Sequence, residues 1–471
     1  MRGAPVIAII GGGFTGAAIA WHLDRMLPDR ARPALFVIEP REALGMGLAY
    51  STPDPDHRIN VPASRMSLDP DAPGDFERWL AEQGALIGDP EAELPDGRKF
   101  PRRALFGAYV GDALAPALAT GRVRHCRTHV MAVERLADRY RLVLGNGASL
   151  DCDLIVVATT HPPPSLPGIL RDALSGDPRL VADATSPGSL DSIGRFDRVL
   201  IVGTGLTMAD IVAALAARQH QGPITAFSRR GQVSQPHAPE LTGSFGDFLS
   251  LPSPSARVLV RRIRATVHHA EMHGLPWQAV FDTLRQQGQA IWRALPLAER
   301  RRLVRHLRPF WDARRFRIAP QIHDTLTRLR EHGQLAVHAG AAVHAEADRI
   351  DIRVTLRPRN GSASIVIHAD RVVMATGPAH RDLLKDVPYL RGLAEQGLIR
   401  ADAVGLGLDT DERGRAIGRT GLAIPTLFIG GPLARGTFGE LMGLPEVSRY
   451  AADVASEIAA WTENRGQRLT A

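Results

Sequence analysis

The 471-residue sequence is short of cysteine, lysine and aromatic side chains, and it has no long uninterrupted apolar run. Its two cysteines, Cys126 and Cys152, lie far apart and form no Cys-x-x-Cys pair, which excludes a disulfide framework and an adjacent redox dithiol. Aromatic residues make up 5% of the chain, too few for a surface that stacks bases. Lysine occurs only at Lys99 and Lys385, so the net charge of +7 rests on scattered arginines. These read as solvated faces rather than as a stripe for a polyanion, and no nucleic-acid partner is expected. The longest apolar stretch, residues 199–217, is broken by Gly203, Gly205 and Asp210, and no membrane span is expected. The apolar start at Val6–Ile10 is too short for the core of a signal peptide, so a cytoplasmic setting is the expectation. His268 and His269 are adjacent and lack the spacing of paired ligands, and no metal site is expected.

What the sequence does have is glycine in a repeated context. Val6–Ile10 is a β-branched run typical of a strand buried on both faces. Gly11-Gly12-Gly13-Phe14-Thr15-Gly16 follows it, then a helical stretch to Met26 and a second apolar strand, Ala34–Ile38. In a Gly-x-Gly-x-x-Gly loop the first glycine, Gly11, makes the tight turn. Gly13 lets a pyrophosphate approach the backbone, and Gly16 lets the helix pack on the strand. The amides of Phe14, Thr15 and Gly16 open the helix, where donors and dipole favour phosphate. Glu39 ends the second strand, close to the spacing of about 20 residues at which an acid receives ribose hydroxyls. The first unit therefore reads as dinucleotide-binding.

The context recurs at Val199–Val202, followed by Gly203-Thr204-Gly205-Leu206-Thr207-Met208, a helix to about Arg218 and a strand at 224–227. Gly203, Gly205, Leu206 and Thr207 are the expected cofactor contacts, while Met208 at the third glycine position predicts looser helix packing. The second strand ends in Ser228-Arg229-Arg230 with no acid. A carboxylate there would repel a 2′-phosphate, whereas a hydroxyl and guanidinium forks would bind it, which predicts NADPH over NADH.

Between these units the chain alternates as turn-punctuated strands from Val123 to Leu150, returns to a buried strand at 153–159, and breaks at Pro162-Pro163-Pro164. Residues 255–330 are helical and arginine-rich. Arg371–Ala375 reads as another buried strand, and the chain ends in a strand at 426–429, Gly430-Gly431 and an amphipathic helix at 445–461. The predicted class is α/β, with two Rossmann-like dinucleotide-binding domains, the first discontinuous and the second inserted into it. The expected division is 1–165 and 370–471 for the first domain, 166–254 and 331–369 for the second, and 255–330 for a helical insertion.

These residues resemble a bacterial FAD/NAD(P)-binding oxidoreductase family. The likeness also rests on residues 44–50 (LGMGLAY), 57–63 (HRINVPA), 310–320 (FWDARRFRIAP) and 431–437 (GPLARGT). More distantly, the chain is similar to class B flavin monooxygenases and amino-acid N-hydroxylases, which share the Ala375-Thr376-Gly377 strand end. An imperfect earlier copy is Ala158-Thr159-Thr160. The resemblance implies FAD in the first domain, with Gly47, Asn60, Thr159, Thr376, Gly377 and Gly431 near the cofactors. It implies an NADPH-consuming monooxygenase that takes molecular oxygen and a small nucleophilic substrate such as an amine. A plain FAD reductase or dehydrogenase and a non-catalytic flavin-binding redox sensor stay open. Two features depart from the pattern: the Baeyer–Villiger fingerprint is missing around the second loop, and Gly431-Pro432 stands where Gly-Asp often meets the flavin. His57 and Asn60 suit either a flavin-facing or a turn-forming role. Arg314, Arg315 and Arg317 suit a substrate carboxylate or a salt-bridged domain junction. No catalytic residue is assigned, because oxygenation by a bound flavin requires no protein acid, base or nucleophile.

Overall fold

A computed structural model describes residues 4–28, 32–162, 164, 166–377 and 382–470; Pro163 of the proline run lies outside them. In chain order the strands are Val6–Ile10 (β1), Ala34–Ile38 (β2), Val123–Cys126 (β3), Val130–Arg135 (β4), Tyr140–Leu144 (β5), Ser149–Cys152 (β6), Leu154–Val157 (β7) and Leu180–Val181 (β8). There follow Val199–Val202 (β9), Ile224–Ser228 (β10), Leu335–Ala347 (β11), Ile352–Pro358 (β12), Ile365–Ala369 (β13), Arg371–Met374 (β14), Arg415–Ile417 (β15) and Ala423–Ile429 (β16).

Among the described residues the strands form three sheets. The first has the order β15-β16-β7-β1-β2-β3, the second β13-β12-β11-β10-β9-β14-β8, and the third is the antiparallel meander β4-β5-β6. Ile7, Ile9, Leu35, Val37 and the whole of β7 are buried, as expected of strands covered on both faces. The helix Phe14–Met26 (α1) covers the first sheet and packs against both the helix Arg103–Ala119 and the terminal helix Glu446–Thr470. In the second sheet the helix Leu206–Ala217 follows β9, and β10 lies parallel to β9.

Two expectations are corrected. Strand β14 was expected to resume the first domain at residue 370; it pairs with β9 and β8 in the second sheet instead. It is the second unit's counterpart of β7, and a buried-strand pattern does not reveal which sheet a strand joins. The first sheet is rejoined by β15 and β16, of which β16 pairs with β7. The helical stretch is likewise not one insertion. Its last helix, Pro320–Glu331, packs on Leu206–Ala217 and leads into β11, which is parallel to β10, so it is the crossover helix of the second unit. Helices from Ala256 to Arg315 surround a separate core around Phe248, Leu259, Val280 and Leu284.

Candidate functional site

The first glycine loop is held by backbone approaches that only glycine permits. Gly11 has φ +101°, and a Cβ there would stand 2.7 Å from the Ala158 carbonyl. A Cβ on Gly16 would run into the Gly11 carbonyl. Gly47 packs directly on the loop, since its own Cβ would lie 2.9 Å from the Gly13 Cα. Glu39 is 4% exposed; it accepts from the Gly12 amide at 2.9 Å and pairs with Arg41 at 3.0 Å. Its carboxylate thus sits beside the loop with acceptor capacity left for a ribose. Gly431, with φ +64°, rests on α1: a Cβ there would meet Thr15 Oγ1 at 2.6 Å.

The second loop repeats the arrangement with different chemistry. Gly203 has φ +126° and a side chain there would strike the Ala375 carbonyl, just as Gly11 faces Ala158. Thr204 occupies the place of Gly12, donating to the Gln232 carbonyl at 2.6 Å and lying 2.8 Å from the Ser228 hydroxyl. Ser228 therefore stands where Glu39 stands in the first unit. Gly205 has open space where a Cβ would be, so a pyrophosphate has room. Met208, in place of the third glycine, is fully buried. Arg229 is exposed and makes no side-chain hydrogen bond or ion pair among the described residues, while the Arg230 guanidinium lies 5.0 Å from the Phe310 ring centre. Thr376 Oγ1, at the strand end beside Gly203, is buried without a partner. The donors, the open cradle and that orphaned hydroxyl fit a second dinucleotide.

A cavity of about 670 Å³ joins the two halves. Gly11, Gly13, Phe14, Thr15, Glu39, Gly47 and Thr159 line it from the first unit, and Thr207 from the second. Gly16, Asn60, Gly203, Gly205, Leu206, Ser228, Arg229, Arg230, Thr376, Gly377 and Gly431 lie outside its lining. His57 lines it; its Nδ1 bonds Thr52 Oγ1 at 2.8 Å and its buried Nε2 has no partner. Asn60 instead uses its carbonyl to accept from His237 Nε2 at 3.0 Å, a tie to the second unit. Thr159 is 2.6 Å from the Tyr389 hydroxyl. Burial pushes the Tyr50 phenol up to about 12 and holds the His161 imidazole below its ordinary value, so both line the cavity as neutral groups near pH 7.

Sequence reasoning missed the most ordered charge pair in this cavity. Arg103 grips Asp210 with both guanidinium nitrogens, at 2.9 and 3.0 Å, and also donates to the Arg58 carbonyl. Asp210 was visible only as a break in an apolar run, and Arg103 as one arginine among many. Their pairing fastens the Leu206–Ala217 helix to the first unit. Arg315 settles as a junction residue, and Arg317 as a salt-bridged residue of the helical stretch. Arg315 is buried against Glu440 and Glu446, and Arg317 lies 2.9 Å from Asp282.

Residues 8–162 match the family of FAD-NAD(P)-binding domains, roughly a third of the chain. No curated protein matches the sequence significantly. Among solved structures, L-lysine 6-monooxygenase from Pseudomonas syringae is similar at 18% identity and TM-score 0.64, covering 98% of this chain and 99% of the other. Ornithine N-hydroxylase from a Kutzneria species, solved with reduced FAD, NADP+ and L-ornithine, aligns at 18% identity and TM-score 0.60 over 99% and 100%. Bacillithiol disulfide reductase from Staphylococcus aureus aligns at 14% and 0.57 over 98% and 99%. The fold is thus that of flavoproteins with two dinucleotide-binding domains, and the family match falls on the first unit. Among the described residues, no helix is long and apolar enough to cross a membrane, and no cluster of His, Cys, Asp and Glu is placed to hold a metal.

Proposed function

We propose that the protein is an NADPH-consuming, FAD-dependent monooxygenase acting on a small nucleophilic substrate such as an amine. The observation that carries this reading is the cavity shared by the first glycine loop and the Leu206–Ala217 helix of the second unit. FAD bound there supplies hydride acceptance from NADPH and the activation of dioxygen. The chain's part is placement. Gly13 and the amides opening α1 receive the FAD pyrophosphate, and Glu39 receives its ribose. Ser228, Arg229 and Arg230 surround the 2′-phosphate of NADPH, and the Arg103–Asp210 pair keeps the two units in register. Apolar walls from Phe14, Met46 and Val447 exclude water from the reacting centre. The likeness in fold to lysine, ornithine and cadaverine hydroxylating enzymes supports the amine class. A dithiol reductase is disfavoured because Cys126 and Cys152 both lie in the first unit and Cys152 is buried.

The test is NADPH oxidation by the FAD-loaded protein with an amine panel including ornithine, lysine and cadaverine. Oxygen-18 gas should label the product, and turnover should stop without oxygen. Faster anaerobic turnover with a quinone acceptor and no labelled product in air would replace the monooxygenase with a reductase.

A further inference from the structure

A second cavity, of about 630 Å³, lies between the helical cluster and the segment from Leu406 to Glu440, and shares no lining residue with the first cavity. Its volume falls within the range of small-molecule sites. Trp277, Phe281, Trp292 and Trp311 line it together with aliphatic side chains such as Leu303 and Ile291. The rings are already organised: Phe281 stacks on Trp311 with centres 5.7 Å apart, and Trp277 meets Phe281 edge-on at 5.2 Å. The Trp292 indole N–H is committed to the Gly436 carbonyl at 3.0 Å. All four residues remain partly accessible.

The cavity wall also carries a buried cation with unmet bonding capacity. Arg435 is 4% exposed, and its Nη1 is buried with no hydrogen-bond partner. Its Nε donates to the Gly439 carbonyl, and its Nη2 stands 3.8 Å from Asp312 Oδ1. That same aspartate accepts from Arg308 at 3.2 Å, so one carboxylate serves two guanidinium groups. Of the acids in the wall, Glu440 pairs with Arg315 at 2.7 Å, and Glu271 lies across the lining. Arg308 and Arg315 both disfavour charge on Arg435, and burial disfavours it more. The Arg435 Nη1 is left without a hydrogen-bond partner, and a guanidinium nitrogen is a donor whose preferred partner is a carboxylate oxygen.

We propose that this cavity binds an organic carboxylate with a bulky apolar or aromatic body, its carboxylate on Arg435 and its body between the Phe281–Trp311 pair and the Trp277 and Trp292 rings. The site is distinct from the cavity between the loops, and its assignment does not depend on oxygen chemistry. It lies close to the flavin region: Leu406, in the wall of the helical cavity, accepts from His161, which lines the other.

Calorimetric titration of the full-length, FAD-loaded protein with naphthoate, naphthylmethanol and naphthylmethylammonium tests this. Naphthoate should bind at least about tenfold tighter than the alcohol, and the ammonium compound weakest. Arg435→Met should remove that preference while leaving the alcohol's affinity in place, and Ile291→Trp, which fills the space, should abolish binding of all three. Should Arg435→Met lose its flavin absorbance through misfolding, the ligand order on the unaltered protein and the Ile291→Trp result still decide. Equal affinity for the three compounds, no binding of naphthoate, or unchanged binding to the Ile291→Trp protein would overturn the proposal.

Discussion

The two glycine loops share a backbone and differ in what they offer a ligand. Gly11 and Gly203 both take positive φ and both press on the carbonyl of the equivalent strand end, Ala158 or Ala375. Beyond that point they part. In the first unit a buried acid, Glu39, holds the Gly12 amide. In the second a neutral hydroxyl pair, Thr204 and Ser228, takes its place, with the exposed Arg229 beside it. A turn of this kind is set by sterics, whereas the choice between one dinucleotide and another is set by two or three side chains at the end of the following strand. The fold can therefore be duplicated while the ligand changes.

The largest effect should come from placing side chains in the two cradles. Gly13→Val puts a branched group where the pyrophosphate must approach and against Gly47, and the purified protein should be colourless. Gly205→Val meets no protein atom, so it should keep flavin while losing NADPH-driven reduction. Visible absorbance and stopped-flow reduction separate the two; flavin loss in both would mean that the loops do not act independently.

Next in size is the tie between the halves. Arg103→Ala leaves Asp210, only 13% exposed, without its partner, and should cost about 3 kcal/mol in chemical denaturation. Arg103→Ala with unchanged stability would mean that the Arg103–Asp210 pair does not hold the two units together.

Arg229→Ala removes a charge-assisted contact of about 1.5 to 3 kcal/mol, so kcat/KM for NADPH should fall roughly tenfold to a hundredfold. NADH, which lacks the phosphate, should be nearly unaffected. Parallel losses with both coenzymes would make Arg229 a support of the fold and erase the chemical contrast between the loops.

Smallest near neutral pH, and growing only in acid, is the effect of the His237–Asn60 contact between units. Burial, reinforced by Arg317, holds the His237 imidazole down at about 3, so it stays neutral in the folded protein while the unfolded chain protonates near 6.5. Because the unfolded state takes up the proton first, stability should drop as pH falls from 6.5 toward 3, by up to about 1.4 kcal/mol per pH unit. His237→Gln, measured by urea denaturation at stepped pH, should show a shallower decline than the parent.

Much of this architecture is legible in the sequence because glycine loops and β-branched strands are local signals. The strand–loop–helix–strand units at Val6–Ile38 and Val199–Ser228 stand where periodicity and glycine spacing put them. What escapes is pairing at a distance. Nothing in Arg371–Met374 says that it lies beside β9 rather than β7, and nothing in Pro320–Glu331 marks it as a crossover helix instead of the last of an insertion. The Arg103–Asp210 pair is invisible for the same reason, since its partners lie on different units. Residues such as Gly47 and Gly431 were found only through resemblance; their close approaches to Gly13 and Thr15 are tertiary facts.

The pairing of β16 with β7, and of the terminal helix with α1, also governs how the chain is made. The second unit and the helical cluster leave the ribosome before the strand that completes the first sheet exists. All strands of the second sheet exist once β14 is synthesised, while β7 waits with one edge unpaired. The nascent first unit thus carries its open edge through the synthesis of more than half the protein. Its closure comes last, and a chain truncated before Ala423 would hold every strand of the second sheet but lack the strand that pairs with the open edge of β7.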